Sequence, residues 1–65
     1  MTDRLREHDR VILLTEMEQL PTGAVGTIVH VHDGGAAYEV EFVRSHTRSA
    51  VVRLEERQVR LLPTP

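Results

Sequence analysis

The stretch Val25-Gly26-Thr27-Ile28-Val29-His30-Val31-His32-Asp33-Gly34-Gly35-Ala36-Ala37-Tyr38-Glu39-Val40-Glu41-Phe42 decides the fold. Its last part, Tyr38-Glu39-Val40-Glu41-Phe42, alternates apolar and acidic residues at period two. That is the pattern of a strand with one face on a core and the other in water. Tyr38, Val40 and Phe42 are assigned inward, Glu39 and Glu41 outward. Val25–His32 is dense in β-branched residues and reads as a second strand. Simple alternation puts Val25, Thr27, Val29 and Val31 on one face and Ile28, His30 and His32 on the other. Asp33-Gly34-Gly35 joins the two strands as a hairpin, because Asp-Gly and Gly-Gly accept positive φ. At least one of Gly34 and Gly35 is therefore predicted at positive φ. Gly26, near the strand start, marks a bulge or a close approach of two backbones.

Working outward, Arg10–Leu14 reads as a strand. A helix from Leu5 to Leu20 competes, since Leu13, Met17 and Leu20 have helical spacing, but the dense part of the run is short and flanked by charge. Residues 15–24 form a loop with Pro21 and Gly23 as breakers. Ala37–Val43 is the third strand, Arg44–Ser49 a polar loop, and Ser49–Glu55 the fourth strand. Glu56-Arg57-Gln58 suits a single 3-10 turn. Val59–Leu62 is the last strand, stopped by Pro63 and Pro65. The chain thus divides into a flexible lead-in over 1–7, a barrel over 8–62 and a tail over 63–65. Five short strands with a long first loop predict an all-β fold, a small five-stranded SH3-like barrel.

Making the inward faces coincide sets the register. Val29 is expected opposite Val40, Val31 opposite Tyr38, and Val40 opposite Val52. The outer face then carries the rows His30–Glu39–Arg53 and Ile28–Glu41–Val51. The predicted core is Val11, Leu13, Val29, Val31, Tyr38, Val40, Phe42, Val52, Leu54, Val59 and Leu61.

Composition bounds the rest. Sixty-five residues make one small domain, 40% hydrophobic and 28% charged, with a net charge of −2. A balance this close to neutral disfavours a strongly basic nucleic-acid protein. Without cysteine, neither disulfides nor thiolate zinc sites are available. The N-terminal residues are mixed in charge and lack the apolar stretch of a signal peptide. The longest apolar run, Val11-Ile12-Leu13-Leu14, is far below the roughly 20 residues of a membrane span. A cytoplasmic location is expected.

The pattern Asp9-Arg10-Val11-x-Leu13-Leu14, then Leu20-Pro21, Gly23-x-x-Gly26-Thr27-Ile28-Val29 and Tyr38-Glu39-Val40-Glu41-Phe42, resembles a bacterial family of short proteins known as domain of unknown function 4926. The resemblance spans about residues 8–62. It implies a small SH3-like barrel and brings no activity or catalytic residues with it. More loosely, Gly23-Ala24-Val25-Gly26-Thr27-Ile28-Val29 is similar to SH3-like KOW segments of ribosomal and transcription proteins, and to SH3-like subunits of nitrile-hydratase-type enzymes. A glycine turning a loop into a barrel strand accounts for that likeness, so it speaks to fold.

Candidate chemistry is sparse. His46 stands one residue from Ser45, but neighbours in a polar loop are no triad. Glu39 and Glu41 form the solvated side of a strand. No catalytic residue is assigned, no enzyme activity is expected, and no cofactor. His30, His32 and Glu39 are the one set with metal-ligand character, which keeps a metalloenzyme accessory or assembly role as an alternative. The bland reading of the same residues pairs His30 with Glu39. Arg44, Arg48, Arg53, Arg57 and Arg60 are the candidates for a KOW-like nucleic-acid or ribosome-associated module. Acidic Glu16 and Glu18 lie in another loop, which makes the molecule dipolar. Nucleic acid is disfavoured because Tyr38 and Phe42, the two aromatic residues of the chain, point inward and leave no stacking platform.

The leading expectation is a non-catalytic protein-interaction module that uses a strand edge or its outer sheet face. Ile28, Glu41, Val43, Val51 and Arg53 are its candidate contact residues, since Ile28, Val43 and Val51 fall off the core side. An unidentified protein is the expected partner. A homodimer is the second candidate, because so small a core gains from further burial.

Overall fold

The computed structural model describes residues 5–17 and 19–63. Glu18 of the acidic loop, the first four residues of the lead-in and the last two of the tail lie outside the described residues.

The alternating segments form strands. In chain order they are β1 (Arg10–Leu13), β2 (Val25–His32), β3 (Ala37–Ser45), β4 (Arg48–Leu54) and β5 (Val59–Leu61), with a 3-10 turn over Glu56–Gln58 before β5. All pairings are antiparallel in a single sheet of order β4-β3-β2-β1-β5. No α-helix occurs among the described residues, so the strand reading of Arg10–Leu14 holds and the Leu5–Leu20 helix does not form. The sheet is not closed, and β4 and β5 are its edges. The long first connection is tied down rather than free: Gly23 N–H donates to Leu13 O and Leu13 N–H to Ala24 O, both at 2.8 Å.

The Asp-Gly-Gly hairpin is as the sequence predicts. Gly34 and Gly35 have φ of 68° and 124°, and Asp33 joins them at 49°. Val31 faces Tyr38 and Val40 faces Val52, as expected.

One residue breaks the expected phase of β2. Ile28 pairs with Val40 and His30 with Glu39, so Val29 is an extra residue, a β-bulge. Ile28 therefore points inward, fully buried, and Val29 is 41% exposed. This reverses the predicted roles of the two, and it puts Thr27 rather than Ile28 in the row with Glu41 and Val51. Upstream of the bulge the inward positions are Gly26 and Ile28. Gly26 has no side chain, so the true alternation there is invisible as hydrophobicity. The glycine is required by close approach, since a Cβ would stand 2.6 Å from Val40 Cγ1 and 2.9 Å from Glu41 O.

Two further core assignments change. Val31 is only half-buried, and Leu61, at the end of edge strand β5, is 38% exposed while Val59 in the same phase is buried. In their place the core gains Leu5, Leu20 and Ile28 around Val11, Leu13, Tyr38, Val40, Phe42, Val52, Leu54 and Val59. Leu5 comes from before β1, and the segment that follows it is bonded to β2. His8 N–H donates to Ile28 O at 2.7 Å and Ile28 N–H to Asp9 O at 2.9 Å.

The polar loop expected over Arg44–Ser49 is mostly strand. Only His46 and Thr47 remain as the turn, and Arg44 is the extra residue of a second bulge between Val43 and Ser45.

Candidate functional site

β3 and β4 carry the surface of interest. Alternation along both strands buries Val40, Phe42, Val52 and Leu54 and turns Glu41, Val43, Val51 and Arg53 outward. Val43 is 73% exposed and Val51 55%. Val25, 39% exposed, starts β2 beside half-buried Ile12 of β1, so outward apolar side chains occur on four adjacent strands. Of the candidate contact residues, Glu41, Val43, Val51 and Arg53 lie together on this face. Ile28 does not, because the bulge sends it into the core.

β4 is also the longer open edge of the sheet. A groove of about 450 Å³ lies at its Leu54 end, between Ala36 and Ala37 on one side and Arg53, Arg57 and Gln58 on the other. A second of about 280 Å³ lies at its Arg48 end, with Glu41, Val43 and His46. Neither groove is evident from sequence spacing, since each joins residues of two or three segments. The edge position of β4 is the feature that would have directed attention there.

The arginines are not gathered into one patch. Arg60 lies on β5 and pairs in register with Ile12, while Arg48 and Arg53 lie on β4 at the opposite edge of the sheet. Arg44 Nη2 donates to Gln19 O at 3.4 Å, and Arg57 Nε is 2.7 Å from Glu55 Oε1. Arg57 is held there by the turn it belongs to, in which Glu55 N–H donates to Gln58 Oε1 at 2.8 Å.

The histidines pair differently from the sequence reading. His30 stands opposite Glu39 in register, yet Glu39 Oε2 is 2.7 Å from His32 Nε2, its diagonal neighbour. Diagonal positions on neighbouring strands are within reach of long side chains. His30 instead places Nδ1 3.9 Å from Glu7 Oε2, and its ring meets the edge of His32 with centroids 4.5 Å apart. Among the described residues no group of three or more His, Cys, Asp or Glu side chains, His30, His32 and Glu39 included, is placed to hold a metal ion. No described helix is long and apolar enough to cross a membrane.

These features define a small all-β domain whose chemistry-bearing side chains are spread over a sheet face and its edge rather than focused in an enclosed pocket. The chain belongs to the family described as domain of unknown function (DUF4926), whose model matches residues 7–61. Comparison with curated proteins returns no match, and neither does comparison with solved structures.

Proposed function

We propose that this domain is a non-catalytic protein-interaction module, a small SH3-like barrel that binds a protein partner in the cytoplasm through the outward face of β3 and β4 and the adjoining edge. The strand order, the long first connection and the 3-10 turn before β5 support that architecture. The observation that carries the function is the exposure of Val43 and Val51, diagonal neighbours on the outward face of β3 and β4. β-branched residues at such positions gain about 1.5–3 kcal/mol each when a partner covers them fully. An exposed apolar patch of this kind is suited to docking. A homodimer would use the same patch, with one copy covering the other.

Affinity capture from cell extract, run in parallel with wild type and with Val43→Ser/Val51→Ser, tests the reading. Both positions are solvent-facing, so the variant keeps its fold. A protein retained by wild type and lost by the variant is the expected result. Identical retained sets, together with a monomer of unchanged sedimentation for both proteins, would refute it.

A further inference from the structure

The two edges of the sheet differ in how they are guarded. Natural sheets blunt an edge by keeping it short or by placing proline or charge on it. β5 spans only Val59–Leu61, and Pro63 follows closely. β4 spans Arg48–Leu54 without proline. Among the described residues, no backbone hydrogen bond beyond its ladder with β3 engages β4, so its outer row of N–H and C=O groups faces open space.

The chemistry along that edge is ordered. Arg48 borders the groove at one end, together with Glu41, and Arg53 the groove at the other, together with Glu55 and Arg57, whose charges pair with each other. Neither arginine makes a side-chain hydrogen bond or ion pair among the described residues. Arg53 faces Glu39 in register, but the Glu39 carboxylate is engaged by His32. Exposed Val51 lies between the two arginines. The strand is about 20 Å long at 3.4 Å per residue. Along the edge the order is arginine, valine, arginine, beside unpaired backbone; Val51 and Arg53 share the outward phase of the strand and Arg48 takes the other.

We infer that β4 accepts an extended acidic peptide segment as a sixth strand. This rests on the interaction-module reading and names the chemistry of its partner. Backbone hydrogen bonds to the open row supply the docking, as in strand addition generally. An apolar side chain of the segment lies on Val51, and carboxylates near its two ends meet Arg48 and Arg53 in charge-assisted contacts. The β4 edge of a second copy is a poor occupant, because it brings the same two unpaired arginines and no free carboxylate on its own strand to meet them. Nucleic acid lacks both a continuous basic track and an exposed aromatic surface here.

Fluorescence anisotropy with the acetylated, amidated peptide Asp-Glu-Thr-Val-Thr-Glu-Asp, and with Lys-Arg-Thr-Val-Thr-Arg-Lys as its counterpart, decides the matter. The acidic peptide is expected to bind and the basic one not. Arg48→Glu/Arg53→Glu should weaken binding about tenfold or more, since two attractive rim contacts become repulsive. Arg48→Gln/Arg53→Gln, which removes the charge but keeps a polar hydrogen-bonding end, should give an intermediate loss. Raising salt from about 50 to about 500 mM should weaken binding, because the contacts are exposed to screening. Amides of residues 48–54 should gain protection from hydrogen exchange on binding. Equal affinity for both peptides, no binding up to about 1 mM, a roughly 4 kcal/mol threshold, or unchanged exchange along β4 would overturn the proposal. So would tighter binding of a single-stranded oligonucleotide than of the acidic peptide. If the peptide fails while a protein is still captured through Val43 and Val51, the acidic-strand assignment falls and the module reading stands.

Discussion

Replacing Gly26 with alanine adds one methyl group at the most crowded point of the sheet. The new Cβ would lie 2.6 Å from Val40 Cγ1, 2.8 Å from Phe42 Cε1 and 2.9 Å from Glu41 O. Carbon atoms pack best at about 3.5–4.0 Å. None of the three neighbours can retreat cheaply. Val40 and Phe42 are buried in the core, and Glu41 O belongs to a strand paired on both sides. Relief requires β2 to move away from β3, at a cost near the upper end of the roughly 1–3 kcal/mol typical of overpacking. The loss of unfolded-chain freedom returns about 0.4–1 kcal/mol. The net expectation is about 2 kcal/mol, against a total stability of about 3–10 kcal/mol for a chain of this length. The midpoint of thermal unfolding should fall by about 8–16 °C. Urea melts followed by far-ultraviolet circular dichroism, with an unchanged slope, measure the difference. Gly23→Ala is the control: Gly23 has φ of 96° but open space around it, so only backbone strain is added. That strain is about 1 kcal/mol. A Gly26→Ala protein within about 0.5 kcal/mol of wild type, the range of an ordinary surface substitution, would refute the close-approach argument. So would a greater loss from Gly23→Ala.

The bulge gives a paired test. Ile28→Ala should cost about 2–5 kcal/mol, whereas Val29→Ala should stay within about 0.5 kcal/mol as an exposed substitution; the reverse order in urea melts would restore simple alternation through β2. Phe42→Ala should cost about 3–5 kcal/mol, enough to leave much of the protein unfolded at room temperature. A dispersed amide spectrum and a melt within about 1 kcal/mol of wild type would contradict its place at the centre of the core.

Strand placement was legible because it depends on local alternation and on turn residues. Tyr38–Phe42 and Asp33–Gly35 carry that information within a few positions. The phase of β2 was not legible. Val29 and Ile28 are equally apolar and β-branched, and the inward position before them is a glycine, so hydrophobicity favours neither register. Leu5 and Leu20 were missed because each reaches the core from outside a strand, through a turn or a loop. The polarity of Arg44–Ser49 suggests a loop, yet solvent-facing strands tolerate polar residues freely on both sides of a hairpin tip. Of the candidate contact surface, Val43, Val51, Glu41 and Arg53 followed from alternation in β3 and β4. The grooves at the two ends of β4 did not, since they arise where separate segments meet.

The pairing of β1 with β5 has a consequence for the order of assembly. β2, β3 and β4 form a meander whose contacts are close in sequence, and closing them costs little chain entropy. Val11 and Leu61, by contrast, come from the two ends of the domain. That contact becomes affordable only after the meander has drawn the ends together, so the meander is the natural nucleus and β5 the last strand to dock. The same asymmetry runs in reverse: β5, short and joined on one side, is the first to detach in native-state fluctuations. Leu13 and Val59 would then be exposed briefly while β2, β3 and β4 stay paired, so the β4 edge keeps its shape through openings that begin at the opposite side of the sheet.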